Sequence, residues 1–176
     1  MQSDRAETTD AARLADLVNS AYRGVGGSLG WTHEAELLSG SRAAPDDIAA
    51  LIESETTTVL VRWDPEDRTR ALGCVAVEMD GAGHCTISML AVAPDGQAKG
   101  LGRAALSDAE AFAAEMGAGI AKITVVRQRE SLIAWYERRG YRRVGVENFP
   151  YGDDSVGVPL REDLGFIVLE KPLQRR

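Results

Sequence analysis

Three strand-like segments follow one another in the middle of the chain, and this run constrains the fold more than any other part of the sequence. Thr57 to Trp63 is rich in β-branched residues, and Leu72 to Met79 follows a turn at Asp64-Pro65-Glu66-Asp67. Asp80-Gly81-Ala82-Gly83 is a hairpin signal, and a third strand runs from His84 to Val92. Consecutive strands joined by short turns pair antiparallel, so the run predicts an antiparallel meander.

A helix and a fourth strand are predicted after the meander. Pro94-Asp95-Gly96 ends the third strand, and a helix runs from about Gly100 to Met116 because its apolar residues recur on one stripe. Ile120 to Val126 predicts a short apolar strand, of the type that is buried between helices in a parallel sheet. The strand–helix–strand run from His84 to Val126 therefore predicts a βαβ unit, which adds one parallel crossover.

Further helices and a closing pair of strands flank this centre. Proline is well tolerated in the first turn of a helix, so Pro45 marks one helix start. The predicted segments are a helix over Ala11–Tyr22, a short helix over Trp31–Leu38, a helix from Pro45, a helix over Ser131–Arg139, and strands over Tyr141–Val146 and Phe166–Leu169. The predicted fold is one α/β domain over residues 1–176, a mostly antiparallel sheet with one parallel crossover, flanked by helices.

Charge and cysteine usage exclude several classes of function. The net charge is −7, whereas a nucleic-acid-binding protein usually carries a basic stripe, and none is visible here. Cys74 and Cys85 fall in apolar runs, and no metal-ligand spacing links them to His33 or His84, so we expect free thiols and no metal. No secretory signal is evident, and no apolar stretch approaches the ~20 residues of a bilayer span. We expect a cytoplasmic protein without a membrane partner.

The chemistry concentrates in the segment Pro94–Arg103, where a strand ends, a glycine-rich loop follows and a helix begins. The first N–H groups of a helix are unpaired, and the helix dipole adds partial positive charge beside them. A pyrophosphate is a suitable ligand for such a place. Gly100 and Gly102 let the backbone approach phosphates without a Cβ, and Lys99 adds a positive charge.

Two other interpretations of this loop compete. It is a structural turn into a helix, or it is a dinucleotide fingerprint, because residues 100–105 match G-x-G-x-x-A. Gly100 lies eight residues past Val92 rather than directly after the strand. The next strand ends in Val125-Val126-Arg127, with no acidic residue to hold a ribose, which argues against the dinucleotide.

Four segments together resemble one family. Gln97-Ala98-Lys99-Gly100-Leu101-Gly102 resembles the Q/R-x-x-G-x-G/A signature of the GNAT acyl-CoA N-acyltransferase superfamily. The preceding strand Ser88–Val92, the downstream Trp135–Tyr141 and the first-helix segment Leu17–Gly24 also resemble that family, and the element order matches its fold. The resemblance implies an acetyl-CoA-dependent N-acetyltransferase that acts by direct attack in a ternary complex. The alternative is a sensor that binds acetyl-CoA without catalysis.

The resemblance also implies how each residue of the donor site acts. The loop amides hold the coenzyme pyrophosphate, the strand before the loop pairs with the pantetheine arm, and its last amide faces the thioester oxygen. Tyr136 is the catalytic residue, which protonates the departing thiolate. The implied coenzyme-binding residues are Leu90, Ala91, Val92, Gln97, Ala98, Lys99, Gly100, Leu101, Gly102, Arg103, Leu132 and Tyr136.

Two features of the reaction stay open in the sequence. Arg129 stands seven residues before Tyr136, where many family members have an asparagine, and it reaches either a coenzyme phosphate or only solvent. Thr86 stands where some members place a glutamate base, and a threonine cannot take that role. The remaining candidates for the general base are Glu78, Glu34, Glu36 and His84.

Acceptor selectivity is implied to come from residues 24–42 and 147–163. Both segments carry aromatic residues beside charges, which suits a cationic amine through cation–π contact and carboxylate pairing, whereas Arg42 suits an acidic substrate equally. The acceptor is a small-molecule or peptide amine, and homodimers are frequent in the family. The candidate substrate contacts are Trp31, Glu34, Glu78 and Tyr151.

Overall fold

The computed structural model describes residues 3–24, 35–96, 100–152 and 157–174. Within these ranges the chain forms nine strands and four α-helices. In chain order they are β1 (Asp4–Arg5), α1 (Ala11–Arg23), β2 (Leu38–Ser39), α2 (Pro45–Glu53), β3 (Thr57–Trp63), β4 (Ala71–Met79), β5 (His84–Val92), α3 (Leu101–Glu115), β6 (Ile120–Val126), α4 (Glu130–Glu137), β7 (Arg142–Asn148), β8 (Val158–Pro159) and β9 (Gly165–Pro172).

Seven of the strands form one sheet in the order β1-β3-β4-β5-β6-β9-β7, and β2 and β8 form a separate pair. The predicted meander is present, since β3 pairs antiparallel with β4 and β4 pairs antiparallel with β5. α3 connects β5 to β6 in parallel, and β6, β9 and β7 then pair antiparallel. The predicted mostly antiparallel sheet with one parallel crossover is confirmed.

The alternation of side chains along the meander divides the core into two layers. Leu60 and Val75 are buried on the face that α3 and α4 cover. Val59 and Cys74, which neighbour them in sequence, are buried on the opposite face beneath α1 and α2. Because successive residues of a strand point to opposite faces, one run of apolar residues supports both helical layers. The two pairs of helices therefore lie on opposite sides of the sheet.

Local residues mark the starts of α2 and α3. Pro45 is the first residue of α2, as predicted, and the Asp47 carboxylate accepts a hydrogen bond of 3.0 Å from the Ala44 N–H. Gly100 precedes α3 with a φ of 80°, a left-handed conformation that favours glycine. None of the helices in the described part of the chain has the length and apolar character of a bilayer span.

The short helix predicted over Trp31–Leu38 is corrected where the structure describes it. Residues 31–34 lie outside the described residues, 35–37 form a turn, and Leu38 belongs to β2. Leu38 pairs with Pro159 of β8 and is buried beside Phe149. A pairing partner more than a hundred residues away decides the conformation of this segment, so local periodicity gave the wrong element.

Candidate active site

The parallel pair of strands separates soon after it begins. β5 and β6 are paired only from His84 to Thr86, opposite Ile120 to Lys122, although both strands are described over their full length. Beyond these positions the backbone of each strand faces the other without a shared hydrogen-bond ladder. Such edges can pair with an extended ligand that enters between them.

A β-bulge in β5 lies in the open part of this pair. Cys74 pairs with Ala91 and Ala76 pairs with Ser88, so one residue of β4 lies opposite two residues of β5. Met89 in the bulge has a φ of 53°, the only positive φ of a non-glycine residue in the described part of the chain. A bulge bends its strand and re-aims neighbouring groups, and bulges are frequent beside active sites.

The separation of β5 and β6 leaves a cleft of about 100 Å³. Tyr22 of α1 and Arg42 form one end of it, which we call the α1 mouth. Leu132 and Tyr136 of α4 form the other end, the α4 mouth. Since α1 and α4 lie on opposite faces, the cleft is lined from both sides of the sheet. Its walls are Ile87, Ser88, Met89, Leu90, Ile123, Thr124, Val125, Val126 and Phe166.

Tyr136 stands in the α4 mouth with its ring fixed by neighbours. It is only 6% exposed, and its ring makes edge contacts with Trp135 (4.9 Å between ring centres) and Tyr141 (5.6 Å). Burial raises the pKa of the Tyr136 phenol far above its ordinary value, and nearby Tyr22 raises it further, while the charges of Arg139 and Arg129 lower it. The phenol therefore stays protonated through the neutral range, and its O–H is available as a hydrogen-bond donor.

The N-terminus of α3 offers backbone donors beside the end of β5. The first helical hydrogen bond runs from the Ala104 N–H to the Gly100 carbonyl (3.0 Å), so the N–H groups of Leu101, Gly102 and Arg103 have no partner within the helix. The first turn of α3 contains no acidic residue. Gln97, Ala98 and Lys99 lie outside the described residues, so the structure places the second half of the predicted loop only.

Cationic side chains surround this helix start. The Arg139 guanidinium stacks on the Trp135 ring at 3.5 Å, and a Cβ added to Gly102 would lie 3.8 Å from the same ring. Burial lowers the pKa of Arg139, and the charges of Arg138 and Arg103 lower it further, which places three guanidinium groups near one another. Like charges held close favour an anion between them, so this surface is suited to phosphate groups.

The α1 mouth is organised by side chains. The Tyr22 hydroxyl donates a hydrogen bond of 3.0 Å to the carbonyl of Leu90 in the bulge, and the Arg42 guanidinium lies 5.5 Å from the centre of the Tyr22 ring. The Asn19 side chain accepts from the Arg42 N–H (2.7 Å) and donates to the Ala43 carbonyl (2.8 Å). α1 therefore positions both groups at this mouth.

The residues predicted for the coenzyme are distributed along one path. Leu90, Leu132 and Tyr136 line the cleft, and Ala91 and Val92 continue β5 from the bulge toward α3. The side chain of Val92 lies 3.7 Å from the position of an added Gly102 Cβ. The described members of the set, which also include Gly100, Leu101 and Arg103, thus follow the bulge, the end of β5 and the start of α3.

Two of the four candidate substrate contacts lie outside the lining of the cleft, and the other two lie outside the described residues. Trp31 and Glu34 lie outside the described residues. Glu78 is exposed and pairs across the sheet with Thr57 and Thr86, outside the lining of the cleft. The Tyr151 hydroxyl is engaged within the connection between β7 and β9, where it accepts from the Leu164 N–H (2.8 Å) and donates to the Arg161 carbonyl (3.2 Å).

The remaining candidates for the general base are also away from the cleft. His84 is exposed at the start of β5, where its imidazole faces Asp80 at 3.3 Å. Glu36 is exposed in the turn before β2. Within the described lining, Ser88 and Thr124 are the neutral polar side chains besides the two tyrosines, and no carboxylate or histidine is present.

Arg129 is placed by the structure at the start of α4. It is 9% exposed, so its side chain is not simply solvated. Its backbone carbonyl accepts hydrogen bonds from Leu132 (3.0 Å) and Ile133 (2.9 Å), and its charge acts on the pKa of Tyr136. A buried guanidinium therefore accompanies the phenol.

Sequence reasoning missed two features of the cleft, the hydroxyl of Tyr22 and the bulge at Met89. Tyr22 was counted only as part of the apolar stripe of α1, although its polar group had to be satisfied somewhere. No residue pattern in β5 predicts the bulge, since methionine has no preference for a positive φ.

One family model matches the greater part of the chain. The model of the acetyltransferase (GNAT) family matches residues 17–141, which is more than half of the chain. A comparison with curated proteins finds no match.

Solved structures share the fold. A ribosomal-protein-alanine N-acetyltransferase from Brucella melitensis matches 98% of this chain and 100% of its own, with 16% identity and a TM-score of 0.72. A Salmonella typhimurium protein solved with its cofactor acetyl-CoA matches 100% of this chain and 95% of its own, with 21% identity and a TM-score of 0.70. A nourseothricin acetyltransferase matches 68% of this chain and 67% of its own, with 23% identity and a TM-score of 0.58.

Proposed function

The chain belongs to the GNAT family of acetyltransferases, and from this premise we propose that it transfers an acetyl group from acetyl-CoA to an amine by direct attack within a ternary complex. The cleft with two mouths carries the proposal. Its α4 and α1 mouths lie on opposite faces of the sheet and meet at the bulge. Two substrates that enter from opposite faces can be bound together, which a direct transfer requires.

The α4 mouth suits the donor. The unpaired N–H groups at the start of α3 and the guanidinium groups of Arg103, Arg138 and Arg139 favour the phosphates of a coenzyme. The open edges of β5 and β6 favour an extended pantetheine arm, because each offers backbone donors and acceptors in a row. The path from the helix start to the bulge follows β5 from Val92 to Leu90.

Tyr136 is proposed as the acid of the reaction. Acetyl-CoA supplies the thioester, whose C–S bond is replaced by the C–N bond of the product amide. At neutral pH the buried phenol is protonated, and its O–H hydrogen-bonds the departing sulfur, which takes the proton as the C–S bond breaks. The proton lost by the amine nitrogen returns to the phenolate through solvent, so the protons balance over one turnover.

The lining favours an amine that arrives neutral. The described lining holds no carboxylate and no histidine to accept the amine proton. A lysine-like amine with a pKa near ~10 is almost fully protonated at pH 7, so its reaction rate is expected to rise with pH until the amine is neutral. Because the pKa of Tyr136 is raised, its ionisation is not expected to reverse this rise within the neutral and mildly alkaline range.

The test is an acceptor screen by release of free coenzyme thiol, with acetyl-CoA and longer acyl-CoAs as donors. With an active acceptor, we expect initial-velocity lines that intersect when both substrates are varied, as a ternary complex requires. Parallel lines would indicate an acetylated enzyme and contradict direct attack. Tight binding of acetyl-CoA without thiol release for any amine would contradict the proposed transfer altogether.

A further inference from the structure

Arg42 presents a positive charge at the α1 mouth that no carboxylate of the described residues neutralises. Its side chain is half-buried, and its guanidinium contacts the ring of Tyr22. No carboxylate in residues 3–24, 35–96, 100–152 or 157–174 forms an ion pair with it. The rest of the described lining carries no formal charge, in a protein whose net charge is −7.

The position of Arg42 is fixed by several hydrogen bonds. Asn19 holds the backbone on both sides of it, accepting from the N–H groups of Arg42 (2.7 Å) and Ala43 (3.2 Å) and donating to the Ala43 carbonyl (2.8 Å). Arg23 donates to the carbonyl of Gly40 (2.8 Å), and the first turn of α2 follows directly. This side chain therefore starts from a rigid backbone rather than from a free loop.

A half-buried guanidinium that no described carboxylate neutralises favours the binding of an anion that is not part of the described chain. Arginine presents a planar fork of N–H donors that matches a carboxylate with two parallel hydrogen bonds. The single guanidinium of the described lining corresponds to the single negative charge of one carboxylate.

The distance to the reacting position limits the size of the ligand. The ring of Tyr22 bridges Arg42 and the bulge: the guanidinium lies 5.5 Å from the ring centre, and the hydroxyl lies 3.0 Å from the Leu90 carbonyl oxygen. A carboxylate on Arg42 and an amine at the bulge can thus belong to one small molecule.

We propose that the acceptor is an amino carboxylate whose carboxylate binds Arg42 while its amine enters the cleft beside Leu90 and Tyr136. This inference rests on the proposed acetyl transfer and adds the chemical class of the acceptor. Arg42 determines specificity in this scheme, and it takes no part in moving protons.

The experiment compares matched acceptors on the whole protein. Free amino acids, including β-alanine and 4-aminobutyrate for spacing, are each paired with the corresponding carboxamide, and thiol release is followed at saturating acetyl-CoA. The amine of each carboxamide is less basic than that of its acid, so kcat/KM is expressed per neutral amine. We expect this value to be at least about tenfold higher for the carboxylate of at least one pair, which corresponds to one charge-assisted contact. In Arg42→Gln, this preference disappears through a higher acceptor KM, while the KM for acetyl-CoA is unchanged.

Arg13 provides the matched control. It lies on α1, and its guanidinium lies 5.7 Å from the centre of the Trp63 ring, but it is not part of the cleft lining. Arg13→Gln should keep the full preference for carboxylates, and Arg42→Lys should keep part of it because lysine retains the charge without the fork.

The inference is overturned if acids and amides react equally well, if Arg42→Gln lowers both to the same extent, or if only amines without a carboxylate are acetylated. These outcomes differ from failure of the proposed transfer itself, in which the unmodified protein releases no thiol with any amine.

Discussion

The two mouths of the cleft are built from different parts of the chain. The α4 mouth leads to backbone groups, namely the edge of β5 and the first N–H groups of α3, with Tyr136 as its one reactive side chain. The α1 mouth depends on side chains, Tyr22 and Arg42, which Asn19 and α1 hold in place. Backbone groups bind any coenzyme of the same shape, whereas side chains can differ from one protein to the next. On the proposed assignment, donor and acceptor recognition therefore use separate groups of the molecule.

Tyr136→Phe is the strongest test of this separation. We expect kcat to fall at least about tenfold, because the variant lacks the proton for the leaving sulfur, while acetyl-CoA affinity stays almost unchanged. Steady-state kinetics and titration with acetyl-CoA measure the two quantities. Tyr22→Phe is the matched control: it removes a hydroxyl of the α1 mouth that already donates to Leu90, and we expect a smaller loss of kcat. Equal turnover in Tyr136→Phe and the unmodified protein would remove Tyr136 from the mechanism.

Two glycine variants separate ligand approach from backbone conformation at the donor side. A Cβ on Gly102 would lie at ordinary contact distances, 3.7 Å from Val92 and 3.8 Å from Trp135, so Gly102→Ala should leave the melting temperature nearly unchanged. It should raise the KM for acetyl-CoA about five- to tenfold, because the methyl group stands beside an N–H that faces the phosphates.

Gly100→Ala should act differently. With a φ of 80°, an alanine there costs about 1 kcal/mol or more of backbone strain, so the melting temperature should fall. If Gly102→Ala leaves the KM for acetyl-CoA unchanged, the start of α3 is not the phosphate site, and the difference between the two mouths loses its donor half.

Asn19→Ala tests the acceptor side of the comparison, and its expected effect is smaller than those of the variants above. The variant loses the hydrogen bonds that fix the backbone at Arg42 and Ala43, so we expect the acceptor KM to rise about three- to fivefold with no change in the KM for acetyl-CoA. In the double variant with Arg42→Gln, the loss should not exceed that of Arg42→Gln alone, because Asn19 acts only by positioning Arg42. Additive losses would show that Asn19 has a separate structural role.

The difference between the two mouths also explains which parts of the site the sequence could predict. The backbone groups at Gly100 follow from a local motif, because a strand, a glycine turn and a helix start fix them relative to one another. The choice of Tyr136 followed from the resemblance of Trp135–Tyr141 to the family. Leu38 was assigned to a helix because its strand partner lies in β8, which no local pattern reveals. Periodicity placed Tyr22 on the buried face of α1 but could not show that its hydroxyl would reach Leu90. The residues proposed for the donor side are therefore placed mainly by local order, whereas those proposed for the acceptor side are placed by contacts between distant segments.

The reactivity of the two cysteine thiols tests whether the cleft extends behind the bulge. Cys74 and Cys85 are buried on opposite faces of the sheet, and burial raises their pKa values to about 12 and about 11. Both thiols stay protonated at pH 8, so neither should react with a disulfide reagent in the folded protein. The folded pKa values lie above the ordinary value of 9.0. The contribution of the buried neutral thiols to the stability of the fold is therefore fully present below pH 9 and is lost as the pH rises toward 11 and 12.

Reaction of either thiol with a disulfide reagent at pH 8 would identify which face of the sheet is open to the reagent. The sulfur of Cys74 lies 3.8 Å from the carbonyl oxygen of Met89 in the bulge, so it is the thiol closer to the reacting position. Rapid labelling of Cys74, blocked by acetyl-CoA, would mean that the donor reaches the α1 side of the sheet, and the two mouths would then be one site. Slow labelling of both thiols, at the rate of global unfolding, keeps the mouths distinct and leaves the thiol-release measurements free of background from the protein.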